Sequence, residues 1–67
     1  VKRIVKVLAL VNCHPDFIEQ PKVMNGFSDL MVAVFGDRGI HARAAIGVAS
    51  LPRAQAVEVE CIVEIYD

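Results

Sequence analysis

The sequence predicts an α+β unit in which the elements follow one another in the order β-α-β-β. Regular alternation of apolar and polar residues from about Gln55 to Tyr66 indicates a half-buried strand. A short apolar run at Ile4–Asn12, rich in β-branched residues, indicates a strand covered on both faces. Apolar residues at three-and-four spacing between Val23 and Phe35 indicate an amphipathic helix. Together these elements predict a mixed three-stranded sheet with one helix on one face.

The helix is delimited by residues that favour its two ends. Pro15 breaks the first strand, and Pro21 suits the first turn of a helix, so the helix is expected to begin near Pro21. Gly36 is expected to cap its C-terminus, and Gly26 inside it is explained by a close approach of the helix to the sheet. The stripe expected to face the sheet consists of Val23, Met24, Phe27, Leu30, Met31, Val34 and Phe35.

The last two strands are expected to pair as a β-hairpin over Ala42–Tyr66. A strand of small residues at Ala42–Ala49 is connected through Pro52 to the alternating strand. The face of the last strand expected to pack on the helix contains Val57, Val59, Cys61, Val63 and Ile65. The opposite face is expected to contain Glu58 together with Arg43.

The composition predicts one small domain, residues 1–67, that associates with further copies of itself. A chain of 67 residues that is 55% hydrophobic has more apolar surface than a small monomer can bury. Sheet-to-sheet association of several copies is the simplest way to cover the face of the sheet that lacks a helix. The sequence therefore predicts a homo-oligomer.

Charge, hydropathy and cysteine usage exclude several functional classes. A net charge of −1 argues against a nucleic-acid partner, which needs a basic surface. No apolar run reaches the roughly 18 residues of a membrane span. Two distant cysteines and no visible signal peptide favour reduced thiols and a cytoplasmic location. Four side chains that could bind zinc lack the usual paired spacing, and no cofactor motif occurs, so neither metal nor cofactor is expected; these four are Cys13, His14, His41 and Cys61.

Arg43 and Glu58 are the two candidate functional residues. Arg43 is flanked by small residues that leave space around its guanidinium group, which can bind a planar carboxylate through two parallel hydrogen bonds. Glu58 is the first carboxylate of the last strand and could hold a water molecule for hydrolysis. The residues alone leave two interpretations open, a small hydrolytic site or a structural ion pair between the two side chains.

The Ala42–Tyr66 segment resembles the YjgF/Rid family, the reactive-intermediate deaminases. The matching pattern is Ala42-Arg43, Ile46, Ala49, Leu51-Pro52 and Val57-Glu58-Val59-Glu60. It continues upstream through the strand IVKVLALVN, the pair Asp16-Phe17 and the helix that ends in Phe-Gly. The resemblance covers essentially the whole chain, but only the C-terminal half of a typical member.

The resemblance implies a fold, an assembly and a reaction. It implies the C-terminal half of a chorismate-mutase-like fold and a homo-oligomer, a trimer by preference, with ligand clefts between subunits. It implies a hydrolase of the 2-iminobutanoate/2-iminopropanoate deaminase type, which converts small 2-imino and 2-enamino acids to 2-keto acids and ammonia without a cofactor. In that pattern Arg43 binds the carboxylate of the ligand and Glu58 positions the attacking water. The alternative is a module that binds small ligands or assembles, and that has lost catalysis with the N-terminal half of the family's fold.

Two positions depart from the family's pattern. His41 stands where many members have proline, and Ala45 replaces the cysteine that one branch has two positions after the arginine. The second departure removes any thiol chemistry at that position and leaves the Arg43 and Glu58 chemistry intact. Some members are associated with ribonuclease activity, which the acidic balance of this chain disfavours.

Overall fold

The computed structural model describes all residues from Val1 to Asp67. It contains one helix and three strands, joined in part by short helical turns at Gly36–Gly39 and Pro52–Ala54: β1 (Arg3–Asn12), α1 (Gln20–Phe35), β2 (Ala42–Val48) and β3 (Val57–Glu64). The predicted order β-α-β-β, the mixed three-stranded sheet and the single helix on one face are confirmed. No helix of the chain is long and apolar enough to cross a membrane.

The strand order is β2-β1-β3, with β1 in the centre. β1 pairs with β2 in parallel and with β3 in antiparallel orientation. The predicted hairpin between β2 and β3 is therefore wrong, because these strands lie on opposite sides of β1. The helical crossover returns β2 parallel to β1, and the chain then passes the end of β1 to reach its other edge. Asn12 holds this passage, since its backbone N–H donates to Ala56 O at 2.9 Å and its side chain donates to Gln55 O at 3.1 Å.

One face of the sheet packs against α1 and forms the core. Val7, Ala9 and Val11 of β1 are buried on this face and pack with Met24 of the helix. A register shift between Ile4 and Lys6 in the pairing of β1 with β3 brings Ile4 into the same core. The cross-strand partners of the three β1 residues in β3 are Cys61, Val59 and Val57. The predicted helix-facing side of the last strand is thus confirmed for these residues.

The helix buries a narrower stripe than its sequence predicts. Met24 is buried, and Phe27, Met31 and Phe35 pack against the core. The other three apolar residues assigned to the stripe are exposed: Val23, Leu30 and Val34. Because a single helix contacts the sheet along one line, residues on its flank have nothing to pack against within this chain.

The face of the sheet opposite α1, here called the open face, has no covering element. Leu8 and Leu10 are half-buried there by neighbouring side chains, and Ile46 and Ile62 are about half exposed. Only 7 of the 67 residues are buried, and the radius of gyration is 12.9 Å. An independent globular domain of this length would have a radius of about 11 Å. The chain is therefore more extended than a globular domain of its length and buries few of its residues.

Two glycines are required by the turn that follows α1. Gly36 has a φ of 62° and ends the helix, a backbone conformation that other residues rarely adopt. Gly39 packs so closely on the helix that a Cβ atom would overlap the backbone carbonyl of Met31. Gly26 has open space around it, with nothing within 4 Å of a built Cβ atom. A close approach of helix to sheet at Gly26, expected from the sequence, is therefore wrong.

Substituting alanine for Gly26 and for Gly39 should change the stability of the protein in opposite directions. Gly26→Ala should stabilise the protein by up to about 1 kcal/mol, because alanine restricts the unfolded chain and fits the open site. Gly39→Ala should destabilise it by about 1–3 kcal/mol, because the turn must move away from the helix. Urea denaturation monitored by circular dichroism measures the free energy of unfolding of both variants and of wild type. A Gly39→Ala protein as stable as wild type would contradict the packing described for this turn.

Candidate functional site

Arg43 lies on the helix-facing side of the sheet, near the start of β2. It is paired with Val7, which is fully buried against α1, so both side chains point toward the helix. Nη1 of the guanidinium donates to Asn25 Oδ1 at 3.0 Å and to Ser28 Oγ at 3.1 Å. These two contacts fix a half-buried cation against the flank of the helix.

The Arg43 side chain lines an open pocket of about 340 Å³ between α1 and the start of β2. The helix contributes four residues at spacings of three, four and seven, which lie on one side of it. The pocket-lining residues are Asn25, Ser28, Asp29 and Val32 from α1, with Ile40, His41 and Arg43 from the other wall. We call this the Arg43 pocket. Five of its seven residues are polar or charged, among them one arginine and one carboxylate.

A chain of hydrogen bonds extends from Arg43 to the turn after the helix. Ser28 Oγ lies 3.0 Å from His41 Nε2, and His41 Nδ1 lies 2.6 Å from the carbonyl oxygen of Gly39. A carbonyl oxygen only accepts, so Nδ1 carries the hydrogen; when the ring is neutral, Nε2 is then the acceptor for the Ser28 hydroxyl. Ser28 in turn accepts from Arg43. With a neutral His41, every hydrogen bond in this series therefore has one donor and one acceptor.

The guanidinium of Arg43 retains donors for a ligand. Both of its hydrogen bonds within the chain start from Nη1. Nε and Nη2 remain, and together they present the two parallel donors that a carboxylate accepts. The residues of the pocket can therefore orient the arginine and leave its bidentate edge for an anion.

Glu58 lies on the open face, away from the Arg43 pocket. Its partner in β1 is Leu10, whereas Arg43 shares its face with Val7 and with Cys61 of β3. Glu58 is also exposed, and β1 separates its strand from β2. The expectation that Arg43 and Glu58 occupy one face is therefore wrong, and so is the alternative of an ion pair between them. Within a single chain these two side chains cannot line one cleft.

The residues considered as zinc ligands are scattered through the fold. Cys13 and His14 follow β1, His41 precedes β2 at the opposite end, and Cys61 is exposed on β3. No group of three or more His, Cys, Asp or Glu side chains has an arrangement that could hold a metal ion. Both cysteines are free thiols.

The two residues that bind Arg43, Asn25 and Ser28, are absent from the candidates that the sequence suggests. Asn25 and Ser28 are polar residues three positions apart on a largely apolar helix, which is the only local signal of a polar contact on that side. His41 is noted in the sequence as a departure from the family's pattern and as a possible zinc ligand, but not as a partner of Ser28. Their common role depends on the crossover that brings α1 over the start of β2.

Comparison with known proteins gives consistent matches over the whole chain. The family model described as endoribonuclease L-PSP matches residues 1–65. Protein TCP17 of Trypanosoma cruzi is 54% identical over 66 residues, which is 97% of this chain and 41% of that protein.

Two crystal structures share the fold. Protein Atu1372 of Agrobacterium tumefaciens, whose function is unknown, superposes with a TM-score of 0.96 at 47% identity, covering 98% of this chain and 42% of that one. A candidate endoribonuclease of Shewanella oneidensis superposes with a TM-score of 0.80 at 33% identity, covering 87% of this chain and 38% of that one. The chain therefore spans about 40% of the length of these relatives.

Charge substitutions within the Arg43 pocket should change carboxylate binding in opposite directions. Asn25→Asp keeps the acceptor of Arg43 but adds a negative charge beside it, so the affinity for a small carboxylate such as pyruvate should fall by about fivefold or more. Asp29→Asn removes a negative charge from the same pocket and should raise the affinity. NMR titrations of the two variants and wild type measure these effects. Equal affinities in all three proteins would show that the anion binds elsewhere.

Proposed function

Since this chain belongs to the YjgF/Rid family, also described as endoribonuclease L-PSP, we propose that it acts as a Rid-type deaminase. The substrates are small 2-imino and 2-enamino acids, which are hydrolysed to 2-keto acids and ammonia. The resemblance noted in the sequence is confirmed at the level of the family. The observation that carries the proposal is the Arg43 pocket, in which a fixed guanidinium keeps two parallel donors for a carboxylate.

The catalytic cleft in this proposal is formed by two copies of the chain. Arg43 and Glu58 lie on opposite faces of one sheet, on strands separated by β1. They can act on one substrate only if the Arg43 pocket of one copy meets the open face of another copy. The exposed carboxylate of Glu58 is available for that contact.

The reaction needs only a positioned anion and a positioned water. Arg43 holds the substrate carboxylate next to the imine carbon. Glu58 of the neighbouring copy accepts a hydrogen bond from water and orients it toward that carbon. A 2-enamino acid first tautomerises to the imine, with a proton moving from nitrogen to the β-carbon. Addition of water then places OH on the imine carbon and H on nitrogen, giving a tetrahedral amino alcohol. The hydroxyl proton moves to nitrogen as the C–N bond breaks and ammonia leaves. The oxygen of the water becomes the keto oxygen, so no metal, redox partner or organic cofactor takes part.

We further propose that the assembly is a homotrimer in the cytoplasm. The open face exposes Ile46 and Ile62 beside the half-buried Leu8 and Leu10, which favours burial against another sheet layer. Cys13 and Cys61 are free thiols, as is usual in a reducing compartment. Residues 1–67 are proposed to act as one partial domain of the family's fold.

A second candidate function is carboxylate binding without catalysis. The Arg43 pocket contains its arginine, its helix contacts and its hydrogen-bond chain within one copy, whereas hydrolysis needs a Glu58 from elsewhere. A protein that had lost the catalytic contact could therefore still bind 2-keto acids. Saturable binding of pyruvate with no ammonia release from any 2-imino acid would favour this function.

Ribonuclease activity, suggested by the description of the family, is not favoured by the geometry. Cleavage of RNA without a metal uses an acid and a base on either side of one phosphate. The two histidines of this chain, His14 and His41, lie at opposite ends of the sheet, because His14 follows β1 and His41 precedes the parallel strand β2. The net charge of −1 also gives no general attraction for RNA.

The shared cleft predicts complementation between two inactive variants. Ammonia release from freshly generated 2-aminoacrylate should fall by about 100-fold or more in Arg43→Ala and in Glu58→Gln. When the two variants are unfolded together and reassembled, an intact Arg43 should meet an intact Glu58 in roughly one cleft in four. The mixture should therefore recover about a quarter of wild-type activity.

Each variant reassembled alone is the control for this mixture. Activity that returns only in the mixture supports a cleft between copies. Absence of recovery, with mixed oligomers verified by native mass spectrometry, would refute a cleft shared between copies, and full activity in Glu58→Gln alone would show that Glu58 has no catalytic role. Wild-type turnover in Arg43→Ala would refute the deaminase proposal itself.

Assembly through the open face predicts a selective effect of Ile46→Lys. Ile46 is 47% exposed on the open face, so a lysine there should place a charge in the interface and dissociate the oligomer. Ile18→Lys is the matched control, because Ile18 is 81% exposed in the loop before α1. Size-exclusion chromatography with light scattering measures the mass of both proteins. An intact trimer for Ile46→Lys would exclude this face as the contact between copies.

A further inference from the structure

We propose that Ser28 and His41 form a proton-linked second half of the carboxylate site. Uptake of a proton by His41 turns the hydroxyl hydrogen of Ser28 away from the imidazole and into the Arg43 pocket, where it binds the ligand carboxylate. This inference rests on the proposed function only in that the anion binds to Arg43. It assigns a positioning role to two residues that lie outside the Arg43 and Glu58 pair.

In the neutral state the hydroxyl hydrogen of Ser28 is occupied. Nδ1 of His41 donates to the carbonyl oxygen of Gly39 at 2.6 Å, so Nε2 is the acceptor on the ring. Ser28 Oγ lies 3.0 Å from Nε2 and donates its hydrogen there, while it accepts from Arg43 at 3.1 Å. The Ser28 hydroxyl therefore has no hydrogen left for a ligand.

Protonation of His41 reverses one bond and keeps the others. Nε2 then carries a hydrogen and donates to Ser28 Oγ across the same 3.0 Å, and Nδ1 still donates to Gly39. Ser28 accepts from both His41 and Arg43, which fills its two lone pairs. Its own hydrogen must take a new acceptor, and the Arg43 pocket is the open space beside it.

The charges around His41 define the direction of the effect. α1 contributes Asp29 and β2 contributes Arg43, and both line the same pocket as the imidazole. The turn Gly36–Gly39 carries Asp37 and Arg38, of which Arg38 donates to Tyr66 at 3.0 Å. A second cation beside Arg43 is unfavourable in the empty pocket and becomes favourable when an anion lies between them. Anion binding should therefore promote proton uptake by His41.

By thermodynamic reciprocity, acidification should strengthen anion binding. Histidine is the side chain whose charge ordinarily changes between about pH 5 and pH 8, so we compare the affinity at pH values across that range. Pyruvate remains an anion throughout the range, which leaves the protein as the source of any change. We expect the affinity for pyruvate to rise by about fivefold between pH 8 and pH 5.5 at constant ionic strength.

The test is a set of pyruvate titrations at several pH values, each monitored by NMR on the purified protein in its native assembly. His41→Gln retains an acceptor for Ser28 that does not titrate, so it should bind pyruvate as wild type does at pH 8 and show no gain on acidification. Ser28→Ala removes the hydroxyl and should also lose the gain. His14→Gln is the matched control, because His14 is exposed and remote from the pocket, and it should keep the full pH dependence.

A direct readout comes from the imidazole resonances of wild type. The titration midpoint of His41 should move to higher pH in saturating pyruvate, while that of His14 should not move. A pH-independent affinity in wild type, or an unchanged gain in His41→Gln, would overturn the inference. Arg43→Ala separates the two proposals: wild-type affinity in this variant would refute carboxylate binding at Arg43. Loss of binding there, with no pH dependence in wild type, would refute only the role of Ser28 and His41.

Discussion

The central position of β1 determines the rest of this structure. β1 is apolar on both faces, and it is the strand that pairs with both of its neighbours. One face, with Val7 fully buried, forms the core against α1, and the other belongs to the open face. Because successive strand residues alternate between faces, the register on β1 decides which functional side chains meet the helix. Pairing Arg43 with Val7 places the arginine beside the helix, and pairing Glu58 with Leu10 places the carboxylate on the other side.

This division separates binding from hydrolysis in space. The Arg43 pocket is built within one copy, from side chains of α1 and the start of β2, and its geometry depends on the core face. Glu58 depends on the open face, where no part of the same chain approaches it. In the proposed function, substrate binding is thus a property of the folded chain and water attack is a property of the assembly. A family member could lose the second and retain the first, which is the physical basis of the non-catalytic alternative.

The sequence predicts the elements of this fold better than their arrangement. Alternation in β3 and the helical spacing in α1 are local signals, and both elements are confirmed. Alternation does not tell which strand is a neighbour, so the sequence predicts that β2 and β3 pair although β1 lies between them. It predicts one face for Arg43 and Glu58 for the same reason, because the connection between their strands does not show which face of one strand corresponds to which face of the other. Ser28 and His41 could not be identified as partners, because their contact arises only when the crossover packs the helix over β2.

The small core explains why the assembly and the site should be coupled. With so few residues buried, this chain gains less from burial than an ordinary domain, and in the proposed assembly contacts with other copies supply part of its stability. In that proposed assembly the contacts use the open face, whose Leu8 and Leu10 lie between core residues of the same strand. A change that weakens association therefore also loosens β1, and β1 is the strand that positions Val7 and hence Arg43. Ligand affinity and oligomer stability should then vary together, even for substitutions that touch neither Arg43 nor Glu58.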